Sequence, residues 1–565
     1  MSQNKDTIGA DKFLEVLGNW DTEYIFGCPG TTEVAILDAM VGRDKPSFIL
    51  VPQEGVAVSA ADGYARITGK PGVVQLHANV GLANGVSQVY TAQVAGMPLV
   101  VLNAVKHRSI LSHGAFTVAH DHQEMVKQYT KWDWMSLRGE ELSQDLNKAF
   151  QTACQPPMGP VYLALPQDIL EEAAPDKGVY PETINRGKNY TRPTADRIKD
   201  AARVLAGCKF PLILSGAGAA VENCLEEVKD LAEMIGAGVC CENRLTLDYN
   251  AYPTSDNHFL GPYIPNHPVI SQVDVILAIG TKLFVEFQPP VVPWIPNNVT
   301  LIHIHDDPNE IGKIYPPKVG LCGSVKATLN DLIEELSNCI SSDKKDVIVE
   351  RNFMVAQMHT ERNNRLKTQL QETDESGPIS VVRLVQAISK FMDEDVTVIA
   401  DAVTSNDPLV EYLPRPNVYS YYGGATGGSL GWGMGAAIGA KLGAPERKII
   451  SVVGDGVFMF GMPALWTAQK YRVPIVYIVI NNGHYAAVKA GLIRYGKKAV
   501  NNGVFPATDI SGVNYAEVAQ GFGIASERVD NQAVLEKVLE KALLSEEPFL
   551  LEVLTNPNDV GKLAR

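Results

Sequence analysis

Short apolar runs separated by longer stretches of helical period recur along the chain and fall into three sets. In the first set YIFGC, GVVQL, PLVVLN and PVYLALP alternate with helix-like stretches up to about Asp176. In the second, beginning near Ala195 and fading near Asn338, FPLILSGAG, AGVCCE, VDVILAIG and VTLIHIH take that part. VTVIAD, KIISVVGDG, PIVYIVINN and PFLLEVLT form the third. Strands alternating with helices predict βαβ units and parallel sheets covered on both faces. The expected fold is α/β, with three doubly wound parallel-sheet domains at residues 1–180, 195–340 and 375–565. A polar stretch, APDKGVYPETINRGKNYTRPTA, reads as a linker, and the charged Ser341–Gly377 stretch as a helix-prone connector.

Composition narrows the function without naming it. The 565 residues are 45% hydrophobic and 20% charged, ordinary for a globular protein. A formal charge of -15 disfavours a general role on nucleic acid, whose phosphates it would repel. The 8 cysteines form no CxxC and no regular spacing, so reduced thiols are expected rather than a zinc site or a disulfide framework. No run of about 18 apolar residues suggests a membrane span. The first twenty residues lack the basic segment and apolar core of a signal peptide, so a cytoplasmic location is expected.

The segment VVGDGVFMF raises the first chemical question, because a buried strand ends on Asp455 between two glycines. A helix-like stretch and a second apolar strand follow, ending at Asn481 and Asn482. A right-handed strand–helix–strand unit brings both strand ends to one sheet edge, so Asp455 and Asn482 can meet. A carboxylate and an amide oxygen are hard ligands suited to Mg2+, and the glycines would let a diphosphate approach the backbone.

At this spacing the GDG to NN pattern resembles the diphosphate signature of thiamine diphosphate enzymes. QEGVAVSAADGYARITGKPGVV resembles the segment that carries that family's activating glutamate. Within the family, FGCPGTTEV, GVVQLHANVGLANG, GGSLGWGMGAAIG, PALWTAQKYRVP and NNGHYAAVK are most similar to the benzoylformate decarboxylases. Acetolactate synthases share the outline with less likeness in these stretches.

The resemblance implies pyrimidine-binding, central and diphosphate-binding domains. It also implies a lyase that uses thiamine diphosphate and Mg2+ to decarboxylate a 2-oxo acid, with carboligation to an aldehyde possible. By motif match Glu54 is the activating glutamate, and His77 the active-site histidine that transfers protons. Asp455, Asn482 and the carbonyl of His484 would hold the metal. Thr404, Ser405 and the amides of Gly456 and Val457 would meet the diphosphate, while Leu430 supports the bent cofactor and the Gly428 carbonyl receives its amino group. Thr31, Phe116, Thr117, Phe287, Ala487, Val488 and Gly491 would line the substrate pocket. Two of these depart from the decarboxylase pattern. Phe287 stands for a second active-site histidine, and Gly491 for a phenylalanine. Both departures favour carboligation and put benzoylformate itself in doubt.

Some relatives bind FAD in the middle domain, but SGAGAA is not a full GxGxxG, so a structural turn is expected there and no flavin. His120 and His122 read as loop residues. A non-catalytic scaffold is the alternative of another class, which the presence of Glu54 and Asp455 disfavours. A cofactor touching Glu54 in the first domain and Asp455 in the third implies active sites between subunits of a homodimer or homotetramer.

Overall fold

The computed structural model describes residues 7–175, 187–242, 247–371 and 378–557. Half of the linker read from the sequence, residues 176–186, lies outside them, as does the end of the connector at 372–377. Each domain is built on one six-stranded sheet, and every strand pairing between named strands is parallel.

The first sheet comprises β1 (Tyr24–Cys28), β2 (Ser47–Leu50), β3 (Gly72–His77), β4 (Leu99–Val105), β5 (Asp133–Met135) and β6 (Val161–Pro166), in the order β2-β1-β3-β4-β6-β5. The middle sheet comprises β7 (Pro211–Ser215), β8 (Gly238–Cys241), β9 (Phe259–Pro262), β10 (Val275–Ile279), β11 (Thr300–His305) and β12 (Val319–Cys322), ordered β12-β11-β10-β7-β8-β9. The third comprises β13 (Val396–Asp401), β14 (Tyr421–Gly423), β15 (Lys448–Gly454), β16 (Ile475–Asn481), β17 (Ala525–Val529) and β18 (Phe549–Leu554), ordered β14-β13-β15-β16-β18-β17.

The outer two sheets thus share one order, and the middle one has the dinucleotide-fold order. In open sheets of this kind ligands bind beyond the carboxyl ends of the strands, where the order reverses. Those points lie between β1 and β3, between β7 and β10, and between β13 and β15. A 27-residue helix, Lys345–Gln371, occupies the stretch read as a connector.

Domains one and three are joined through two helices, Glu54–Thr68 and Trp432–Gly443. Small residues let their backbones touch. A methyl group at Gly439 would sit 1.8 Å from the Ala60 carbonyl oxygen, and one at Gly63 2.1 Å from that of Ala436. Beside this crossing Arg66, 6% exposed, donates to both carboxylate oxygens of Asp62 at 3.0 and 3.2 Å and to the Gly423 carbonyl at 2.8 Å. Trp432 Nε1 donates to the same Asp62 at 2.5 Å. A buried charge pair so fully hydrogen-bonded holds the crossing geometry, because separating the two helices would leave a buried charge without its Trp432 partner.

All 8 cysteines are free. Among the described residues no helix is long and apolar enough to cross a membrane.

Candidate active site

The switch point of the third sheet is where the residues picked from the sequence gather. Beyond β13 the chain turns through Val403, whose φ of +42° is costly for a β-branched residue, and presents Thr404 and Ser405. β15 delivers Asp455, Gly456 and Val457, and β16 delivers Asn482 and His484. Together they line a cavity of about 180 Å³, which Leu430, Ala487 and Val488 also line.

Asp455, 4% exposed, ties the two strand ends together. Its Oδ1 accepts from the Gly456 amide at 2.7 Å, and its Oδ2 accepts from Gly483 at 2.7 Å and Asn482 at 3.1 Å. Burial raises its carboxyl above the ordinary value, against the pull of these amides. Asn482 Oδ1 accepts from the His484 amide at 2.9 Å, and the His484 carbonyl accepts from Ala486 at 2.8 Å. His484 Nδ1 is buried and finds no partner among the described residues.

One carboxylate, one amide oxygen and one carbonyl converge here, each with a lone pair left over. This hard oxygen set fits Mg2+ completed by phosphate and water, and the threonine and serine hydroxyls beside it fit a diphosphate. Among the described residues no group of three His, Cys, Asp or Glu side chains offers a rival metal site.

Gly428, at φ +66°, does not line the cavity but sits in the turn that leads to Leu430. That turn is held from the first domain by Gln88, whose Nε2 donates to the carbonyls of Leu430 at 3.2 Å and Ser429 at 3.3 Å. Sequence reasoning missed Gln88. It also missed Tyr485, which lines the cavity and whose ring sits 2.5 Å from where a methyl on Gly456 would be.

The switch point of the first sheet carries the second group. Glu54 is the first residue of its helix, half-buried, and accepts from Asn84 Nδ2 at 3.1 Å. His77 ends β3, and the next residue, Ala78, is at φ +48° with its carbonyl held by Asn103 Nδ2 at 2.9 Å. His77 Nδ1 lies 2.9 Å from Glu33 Oε2 and 2.9 Å from Thr32 Oγ1. Glu33 is fully buried and accepts from the Gly30 amide at 2.8 Å. Glu33 was not read from the sequence, although its position in PGTTEV, immediately before a helix, could have shown it.

The substrate residues do not all converge. Ala487 and Val488 line the cavity, but Thr31, Phe116, Thr117, Phe287 and Gly491 do not. Thr31 is exposed and accepts from Lys106 Nζ at 3.3 Å, while its neighbour Thr32 is the one that meets His77. Phe116 is 84% exposed and Phe287 60%. Thr117, at φ +65°, donates to the Phe116 carbonyl. Glu54 and His77 do not line this cavity either.

At the middle switch point the SGAGAA turn packs on its own sheet. A methyl at Gly218 would lie 2.8 Å from Gly280 Cα, and one at Gly216 2.5 Å from Glu242 Oε1. Glu242, whose carboxyl burial pushes up to about 7, lines a space of about 30 Å³ there with Thr281 and Lys282.

Residues 8–125, 198–332 and 402–553 match the N-terminal TPP binding, central and C-terminal TPP binding domains of thiamine pyrophosphate enzymes. A benzoylformate decarboxylase of Pseudomonas aeruginosa is 27% identical over 550 residues, covering 96% of this chain and 97% of its own. A probable acetolactate synthase large subunit of Methanococcus aeolicus is 28% identical over 569 residues, covering 97% and 92%. Among solved structures, a thiamine diphosphate-dependent 4-hydroxybenzoylformate decarboxylase of Rhodococcus jostii superposes with a TM-score of 0.83 at 25% identity, covering 97% of this chain and 99% of that one.

Proposed function

The chain belongs to the thiamine pyrophosphate enzyme family, among its decarboxylases and acetolactate synthases, and from that premise we propose that it decarboxylates a 2-oxo acid without oxidation. The observation that carries this reading is the convergence of the Asp455, Asn482 and His484 oxygens with Thr404, Ser405 and Leu430 in one cavity. When bound there, thiamine diphosphate supplies an electron-accepting ring that lets a carboxylate leave as carbon dioxide.

The protein's own part is to bind, orient and move protons. Asp455, Asn482 and the His484 carbonyl would hold Mg2+, and Thr404, Ser405 and the amides of Gly456 and Val457 would hold the diphosphate beside it. Leu430 would support the cofactor from below and the Gly428 carbonyl would accept from its amino group. Glu54 bonds the pyrimidine, and His77 exchanges a proton through its nitrogen remote from Glu33. Since Glu54 and His77 do not line the Asp455 cavity, a second copy of the chain supplies them, which favours a homodimer or homotetramer. A cytoplasmic location accords with this reading.

One observation favours carboligation as a second outcome. Gly491 stands on the helix that carries Ala487 and Val488, where the resemblance expects a phenylalanine, and a methyl there would have nothing within 4 Å, so no side chain from this position closes the acyl pocket against a second carbonyl compound. Thr31, Phe116, Thr117 and Phe287 complete the pocket in the assembled enzyme. The test is a panel of 2-oxo acids assayed for carbon dioxide, aldehyde and hydroxyketone, with and without an acceptor aldehyde. Carbon dioxide release dependent on thiamine diphosphate supports decarboxylation. A purely aldehyde output would remove the carboligase reading, and no release from any acid would remove both.

A further inference from the structure

Asp401 is the last residue of β13, 5% exposed, at the switch point of the third sheet. Its Oδ2 accepts from the Gly433 amide at 3.1 Å, and its carboxylate also takes the amides of Gly431 and Trp432. These three residues directly follow Leu430, and Gly431 is at φ +90°. The carboxylate therefore caps the helix Trp432–Gly443 from a neighbouring strand and holds the turn that carries Gly428 and presents Leu430 to the cavity.

No side chain on that helix caps it, and its own first turn carries no acid. Packing leaves Asp401 little freedom, since a methyl on Gly433 would lie 2.8 Å from its Cβ. The elements around it present Gly423 and Gly424 from the β14 side and Val453 from β15. Their charged groups have other partners. Arg66 bonds the Gly423 carbonyl, and Asp455, two residues beyond Val453, holds its own three amides.

We propose that Asp401 is the positioning residue for the cofactor-bending turn, holding Gly428 and Leu430 in place through its negative charge, and that protonating it loosens the turn and weakens cofactor binding. This rests on the reading of the cavity as a thiamine diphosphate site.

Burial pushes the carboxyl up to about 6 against the pull of the three amides. A carboxyl raised above its unfolded value makes the fold more stable, not less, as pH falls through that value. The amides of Gly431, Trp432 and Gly433 are what pull the carboxyl down, so a proton taken up while Asp401 stays buried favours their release; that loosening is local and runs against the gain in global stability.

The experiment is calorimetric titration of thiamine diphosphate with Mg2+ into the full chain at pH about 7.5 and about 5.5, for wild type and Asp401→Asn. Wild type is expected to lose affinity on acidification. Asp401→Asn is expected to bind about tenfold more weakly at the higher pH and to change less between the two. Equal affinity and equal pH response in both proteins would overturn the proposal.

Absence of cofactor uptake at either pH would instead fail the functional reading. Asp401 is then tested without cofactor, by amide hydrogen exchange of residues 428–433 in the wild-type chain, corrected for the intrinsic rate. Protection is expected to fall as pH drops below about 6 while the melting temperature holds or rises. Unchanged protection would overturn the proposal even if the variant does not fold.

Discussion

The buried carboxylate of Glu33 lies 2.9 Å from Nδ1 of His77, and the other group at that nitrogen is an acceptor as well. Thr32 Oγ1, 2.9 Å away, directs its own proton to the Ala104 carbonyl at 3.2 Å. With acceptors on both sides, Nδ1 must carry a hydrogen, so Nε2 is the nitrogen left to exchange a proton.

Replacing Glu33 with alanine should therefore lower kcat by about 10- to 100-fold while the affinity for thiamine diphosphate stays near wild type. Glu33→Asp, which keeps the charge but draws it back, should recover part of the loss. Steady-state kinetics paired with cofactor titration checks this. Affinity falling in step with kcat would mean that Glu33 only supports the fold.

The Asp62–Arg66 pair sits where the first and third domains cross, with Trp432 Nε1 and the Gly423 carbonyl bound to it. Arg66→Met leaves Asp62 charged and buried, and should destabilise the chain by about 3–5 kcal/mol. Replacing both charges with apolar residues should cost less than Arg66→Met alone. Urea unfolding midpoints for the single and double variants give the comparison.

Two glycines should respond in opposite directions to the same change. Gly439→Ala drives a methyl to 1.8 Å from the Ala60 carbonyl and should cost about 1–3 kcal/mol or more. Gly491→Ala meets nothing within 4 Å in the interior of the helix Ala486–Tyr495, and should stabilise by about 0.5–1 kcal/mol. Thermal melts of both variants decide it.

Asp256 and His258 give the middle domain a pH signature. Burial alone would raise Asp256, but hydrogen bonds from His258 and Tyr252 win and bring it down to about 2. Burial alone would lower His258, yet its bonds to Asp256 and Asn352 raise it above 6.5. The aspartate's contribution is present above pH 3.8 and lost as pH falls toward 2, while the histidine's is present below 6.5 and lost as pH rises past its raised value. Asp256→Asn should flatten both flanks of a plot of denaturation midpoint against pH.

What could be read from the sequence follows from where each strand sits in its sheet. The four inner strands of every sheet, such as β13, β15, β16 and β18, are buried on both faces and write themselves as continuous apolar runs. The strands that escaped notice are the edges of the three sheets. β2 and β17 mix exposed and buried positions, β5 and β14 are 3 residues long, and β9 and β12 are 4.

The residues proposed for the metal and diphosphate were legible because each lies at the end of an inner strand within a short motif. Glu33, Gln88 and Asp401 were not, because each acts through a partner distant in the chain: His77, Leu430 and Gly433. The proposed pocket residues Phe116 and Phe287 lie on exposed surfaces of a single chain, which a linear motif does not register.

The central claim is that Asp455 anchors thiamine diphosphate through a divalent ion. Its most direct test is calorimetric titration of thiamine diphosphate into wild type and Asp455→Ala, each with Mg2+ and after chelation, with folding checked by circular dichroism. Wild type should take up the cofactor only with the metal present, and Asp455→Ala should take up none. Uptake by the variant equal to wild type, or no uptake by folded, metal-loaded wild type, would contradict the account.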